Sequence, residues 1–229
     1  MATTTVDIRS INRACIQGFA VGILNNPRYL PQNKSKEFLL RDRVKKTIEG
    51  EGRFASYDAD KLQSLVDYSI ENPSIFLTLV MTKLIKKMPI LLSGKFGDRH
   101  LPVRKEYDDK TDKMSVYSIY PSGGRQNSPW ECFVDGDDEM NEWDGTDLDS
   151  FVLHQWAFLT AVFEDKRFEY EIYYMQPLPY VNVAATTAAR GHFGKVFKLG
   201  LLPEHCKVSF ERDFPTVRQM PTHPHHVFS

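Results

Sequence analysis

A chain of 229 residues with 41% hydrophobic and 26% charged content can bury one substantial core or two smaller ones, and is not composed like a disordered protein. Its formal net charge of −1 gives no global drive toward nucleic acid, membrane or an acidic substrate. Cys15, Cys132 and Cys206 are odd in number and form no C-x-x-C pair, which argues against a disulfide framework or zinc knuckle and for free thiols in a reducing compartment.

The N-terminus, MATTTVDIRS, has neither a basic n-region nor an apolar h-region, so it does not read as a signal peptide. Ile8, Ile11, Cys15 and Phe19, widened by Ile16 and Ala20, predict a first helix that ends at Asn25-Asn26-Pro27, with Cys15 an inert core thiol. A second helix is expected from a Ser35 cap, with Leu40, Val44 and Ile48 on one stripe and Gly50 and Gly52 as stops. Asp58 or Asp60 opens a third, with Leu62, Leu65, Val66 and Ile70 on one face. Asn72-Pro73 ends it and starts a fourth through Ile75, Phe76, Leu79, Val80 and Leu84, apolar nearly all round and broken at Met88-Pro89. The apolar stretch Ile75 to Leu92 carries Lys83, Lys86, Lys87 and Pro89, and a bilayer core needs about 20 apolar residues, so it reads as a core helix. Those three lysines read as a small solvated face, without aromatic interleaving for nucleic acid. The expected location is intracellular, cytoplasmic or nuclear.

After Gly97 the pattern changes. Pro102, the mixed-charge run Arg104 to Lys113 and Pro121-Ser122-Gly123-Gly124 are loop chemistry, with one short strand through Met114, Val116, Tyr117 and Ile119. From Gln126 to Asp165 eleven acids meet no Lys or Arg, yet an EF-hand register from Asp135 puts Met140 at the required glycine, so a solvated acidic loop is expected. FVLHQWAFLTAVF from Phe151 is apolar and aromatic, and Phe168 to Tyr174 alternates as a strand closed by Leu178-Pro179. His154 reads as packed among those aromatics. The His223, His225 and His226 cluster reads as adventitious in a frayed tail.

The segment Ala189 to Val196 carries the chemistry. Protein kinases fold G-x-G-x-x-G-x-V into a hairpin over the phosphates of ATP, where a Cβ would block the backbone N–H groups and the turn visits positive φ. Gly191 and Gly194 match the second and third glycines and Val196 the purine-covering valine, while Ala189 replaces the first glycine. The surrounding order adds Gln155-Trp156-Ala157-Phe158, Val162-Phe163, Leu178-Pro179 and Leu202-Pro203-Glu204-His205. Upstream stand Ile75 to Val80 and then Asp98-Arg99-His100-Leu101-Pro102. In this order the chain resembles filamentous-fungal protein kinase-like proteins with a helical N-terminal region, from about residue 8 to 206. It departs from them at Ala161, where proline is usual.

The resemblance implies an α+β fold: a helical region over 1–96, a loop-rich acidic connector over 97–149, the start of a kinase-like small lobe over 150–210 ending in a glycine-rich β-hairpin, and a frayed tail over 211–229. It implies ATP contacts at Gly191, Gly194 and Val196, with ATP and magnesium as cofactors of an intact family member. No Ala-x-Lys follows the hairpin, no H-R-D occurs, and Asp213-Phe214-Pro215 has proline in place of the glycine of D-F-G. The expectation is therefore an N-terminal part truncated after the hairpin, with no cofactor, catalytic residue or metal of its own and a regulatory or interaction role. It would hold a protein partner through the helical region, touch neither nucleic acid nor membrane, and self-associate through an exposed hairpin edge around Val196, Phe197, Leu199, Leu201 and Leu202. The aromatic stretch Phe151 to Phe163 would lose part of its cover. The alternative is a stand-alone helical interaction module whose glycine hairpin is only structural.

Overall fold

A computed structural model describes residues 29–108, 113–119, 128–133, 143–164, 173, 175–181, 187–191, 194–197 and 200–207. The expected first helix, most of the strand through Phe168 to Tyr174 and the tail lie outside these residues.

The bundle begins with α1 (Gln32–Phe38) and α2 (Arg41–Glu49). One helix capped by Ser35 was expected; the chain instead breaks at Leu39-Leu40, and the Ser35 hydroxyl donates back to the Pro31 carbonyl at 3.2 Å. Leu40 is extended and 60% exposed, so its four-residue spacing from Val44 is not a shared stripe, and Phe38 supplies the apolar contact in its place. Val44 and Ile48 are buried as their periodicity predicts, and the helix stops before Gly50.

Helix α3 (Ala59–Glu71) is capped by Asp58, whose carboxylate accepts from the Lys61 N–H at 2.8 Å. Leu65, Val66, Tyr68 and Ser69 face the core. Asn72 ends this helix, and Pro73 begins α4 (Pro73–Thr82), whose residues Ile75 to Val80 are all buried. Helix α4 stops at Thr82, short of the expected Met88, because Lys83 turns left-handed at φ 62°. A 3₁₀ turn (Ile85–Lys87) leads into α5 (Met88–Ser93). Met88-Pro89 thus opens a helix, since a first-turn proline lacks only an N–H that would have no intrahelical partner.

The same core continues past residue 96. One cluster of buried side chains runs from Leu30 to Phe151 and includes Val103, Val116, Phe133, Trp143 and Leu148 of the expected connector. Strand β1 (Val103–Asp108) pairs antiparallel with β2 (Lys113–Ser118), from Val103 opposite Ser118 to Asp108 opposite Lys113. β2 falls where alternation predicts, whereas β1 lies in the run expected to be loop. Its charges are absorbed by ion pairs, Lys105 with Asp149 and Arg104 with Glu106. Helix α6 (Gly145–His154), capped by Asp144, continues as a 3₁₀ turn (Gln155–Phe158).

Beyond it come short strands in chain order: β3 (Phe163–Glu164), β4 (Tyr180–Val181), β5 (Thr187–Gly191), β6 (Gly194–Phe197), β7 (Gly200–Leu201) and β8 (Cys206–Lys207). β4 pairs with β7 and β5 with β6, both antiparallel, while β3 runs parallel to β8. The architecture is α+β, a helical bundle carrying small two-stranded sheets.

Two polar clasps tie the helices to the strands and turns after residue 96. The Asp98 carboxylate accepts from the Ser74 and Ile75 N–H groups at 2.8 and 2.9 Å, capping α4 from a distant loop, while Asn72 accepts the Asp98 N–H at 2.9 Å. Gly97 permits this approach: a Cβ there would stand 2.6 Å from the Asn72 Oδ1. The second clasp is the buried Gln155 amide, which accepts from the Val103 N–H at 2.8 Å and donates to the Val103 carbonyl at 2.7 Å, as a neighbouring strand would.

Asp98→Ala is expected to cost about 2 kcal/mol, one lost helix cap plus unpaired donors, read as a lower urea midpoint. Burial holds the Asp98 carboxyl above its ordinary range against the opposing pull of the two N–H groups. The folded chain therefore binds the proton more tightly than the unfolded one, and stability falls as pH rises from the ordinary carboxyl range through the raised value. Asp98→Asn should flatten that slope in denaturation curves collected across acidic pH.

Candidate functional site

The backbone brings the three site residues of the sequence reading into one hairpin. Gly191 at the end of β5 pairs with Gly194 at the start of β6, Arg190 with Lys195 and Ala189 with Val196, and an irregularity falls between Ala189 and Thr187. Ala189, which replaces the first glycine of the motif, therefore stands directly across from Val196. The pairing resumes lower down, where Tyr180 faces Leu201 and Val181 faces Gly200.

The footing of this arm is polar and backbone-rich. Leu202 donates its N–H to the Pro179 carbonyl at 2.8 Å, Ala161 to Pro177 at 3.4 Å, and the Gln176 side chain to the Leu159 carbonyl at 3.0 Å. His205, 1% exposed, places Nδ1 3.3 Å from the Ala161 carbonyl and meets the buried Tyr29 ring edge-on at 6.0 Å. The resemblance marked the phrase Leu202 to His205 only by word order; its structural part is this footing. Leu201 and Leu202 are half-buried. The expected unpaired edge concerns Val196, Phe197 and Leu199, whose side chains lie outside the described residues.

The aromatic stretch is covered in part: Phe151, Trp156, Ala157 and Ala161 are buried, whereas Phe158, Leu159, Val162 and Phe163 are half-buried and Leu153 is 56% exposed. Phe151 packs on Phe133 and Trp143 at 5.7 and 5.6 Å, and Trp156 stacks on Tyr173 at 4.9 Å and 3°. The bundle and the segment around Phe133 supply the cover. His154 is not among those rings; it closes the last turn of α6, its Nδ1 2.8 Å from the Ser150 carbonyl.

A second correction concerns Lys87, expected on a solvated face. It is 1% exposed, with its ammonium 3.5 Å from the Asp147 carboxylate and 5.7 Å above the Trp143 ring. Asp147 thus belongs to a buried ion pair as well as to the acidic stretch. Sequence reasoning missed it because a helical wheel drawn through Met88 turns Lys87 outward, whereas the 3₁₀ turn rotates it inward.

Burial pushes the Cys132 thiol up to about 12, so it is no thiolate nucleophile at neutral pH. Among the described residues no group of three His, Cys, Asp or Glu is arranged to hold a metal, and no helix is long and apolar enough to cross a membrane. His223, His225 and His226 lie outside them.

Asp147→Ala, which strands the Lys87 ammonium, is expected to cost about 2–3 kcal/mol, because one end of the pair still reaches solvent. The double variant Lys87→Met/Asp147→Ala should be closer to neutral by chemical denaturation, since it removes both charges with their desolvation cost. Compared with known proteins, the chain matches no family model, no curated protein and no solved structure.

Proposed function

We propose that the chain is the helical part and opening hairpin of a protein kinase-like protein of the filamentous-fungal type, with Gly191, Gly194 and Val196 as its ATP contacts. The observation that carries this reading is the antiparallel pairing of Gly191 with Gly194, with Val196 on the returning strand. That backbone lets N–H groups approach phosphate oxygens with no Cβ in the way. Phosphotransfer is not assigned to this chain. Its sequence holds no H-R-D, no D-F-G and no Ala-x-Lys after the hairpin, so no base, metal ligand or phosphate lysine stabilises a transferred phosphoryl group. ATP and magnesium belong to the complete protein, and the role of this part is regulatory or protein-binding, in the cytoplasm or nucleus.

A second reading has its own support. The buried cluster from Leu30 to Phe151 is built by the helices, β1, β2 and the turns between them, as in a stand-alone interaction module with a purely structural glycine hairpin. Titration with Mg·ATP separates the two. The kinase-like reading expects weak, millimolar-range shifts confined to backbone amides near Gly191 and Gly194, lost in Gly194→Val. No shift at those amides leaves the interaction module. A micromolar calorimetric affinity would contradict the absence of phosphate-binding side chains.

Association through the hairpin edge is part of the same proposal, because an unpaired β edge is a template for pairing. Sedimentation of the full chain should show concentration-dependent dimers that Val196→Lys, a charge on that edge, reduces. A strictly monomeric chain across the concentration range counts against it.

A further inference from the structure

The chain has 13 prolines, and a serine or threonine precedes just one of them, at Ser128-Pro129. Both residues are exposed, and neither has a hydrogen bond among the described residues. Pro129 biases Ser128 toward extended backbone, because its ring clashes with a helical residue before it. From Trp130 onward the chain is fixed. The Trp130 N–H donates to the Val116 carbonyl at 2.8 Å, and its Nε1 donates to the Ser118 hydroxyl at 3.0 Å. Its ring packs against Phe96 and His100 at 5.0 and 4.4 Å. An exposed hydroxyl thus stands two residues before an anchor on β2.

Hydroxyls of the helices are committed differently. Thr47, Ser64, Ser69, Thr78 and Thr82 each donate to the carbonyl four residues back. A kinase cleft takes its acceptor on an extended segment, so a helical hydroxyl is presented only after its turn unwinds. Ser128 needs no such opening. A cleft that reads the residue after the acceptor through an apolar pocket also discriminates. Every residue but proline brings an N–H into that pocket, and an N–H buried without a partner is costly.

We propose that Ser128 is a phosphorylation site for a proline-directed protein kinase that takes this chain as its substrate. The Ser128 Oγ attacks the γ-phosphorus of Mg·ATP held by that kinase. The Oγ–P bond forms as the bond from phosphorus to the bridging β-phosphate oxygen breaks. The hydroxyl proton passes to the kinase's catalytic carboxylate, and ADP leaves. The product carries about −1.5 to −2 charge at neutral pH, two residues from the Trp130 anchor. This site is independent of what the glycine hairpin binds, because the ATP is held by the other enzyme.

The full chain, incubated with a purified proline-directed kinase and Mg·ATP, tests the site by intact mass and peptide mapping. A generic Ser-Pro peptide in the same reaction shows that the kinase is active. One phosphate at Ser128 is expected on the folded chain, and none on Ser128→Ala. Pro129→Ala keeps the hydroxyl and should slow incorporation about tenfold or more, the effect of one buried N–H left unpaired. A folded chain that stays unlabelled while the peptide is phosphorylated overturns the proposal. So does equal labelling of Pro129→Ala, or labelling that survives Ser128→Ala. The last arm holds Mg·ATP without the added kinase. Labelling of Ser128 there would belong to an activity of the chain itself and overturns the proposal as well, whereas no labelling there supports it.

Discussion

The first two peptide N–H groups inside α4 are satisfied by a carboxylate from a loop more than twenty residues away, and much of the molecule is arranged around that contact. Helix α4 is the centre of the bundle, buried on nearly every side, and a buried helix end without partners for its N–H groups is costly. Pro73 removes one such donor and Asp98 takes two more. The loop that delivers Asp98 cannot then move freely. Asn72 holds its backbone, Gly97 gives it clearance, and His100, its Nδ1 accepting the Gly97 N–H, packs against the rings of Phe96 and Trp130. Val103 comes soon after and is gripped by Gln155, so the sheet and the turn that starts the hairpin region are placed by the same chain of contacts.

The phrases that carry the family resemblance therefore have a physical content that needs no nucleotide. Asp98 caps, Gln155 stands in for a strand, Trp156 stacks, and His205 anchors the arm. Each is a polar or aromatic group whose partner lies far along the chain.

Features set within one turn of chain were legible in the sequence. The Asp58 cap, the Asn72-Pro73 junction, the strand through Met114, Val116 and Tyr117 and the pairing of Gly191 with Gly194 depend on neighbours within a few residues. What was not legible depends on remote partners or on backbone geometry that spacing does not report. β1 looks like a loop because its charges pair elsewhere than along the local sequence pattern, Lys105 with Asp149 on a helix not yet in view. Leu40 has the right spacing but sits in a break, and Lys83 takes a left-handed turn with no glycine to announce it. Of the candidate site, the hairpin was readable and its footing was not, because no local pattern joins Tyr29 to His205.

That last contact also has a temporal side. Tyr29 and His205 stand near the two ends of the described chain, and the Leu30–Ala157 and Val103–Gln155 hydrogen bonds also join segments far apart in sequence. During synthesis at about 5–20 residues per second, the entry segment waits on the order of ten seconds for its partner to leave the ribosome. Helices α3 and α4 can form early from local contacts, but Tyr29 and the apolar face of α4 stay open until the late segments arrive. Closing such long loops is slow, and surface left exposed meanwhile invites aggregation. The architecture therefore leaves its central helix without full cover until synthesis of the chain is nearly done.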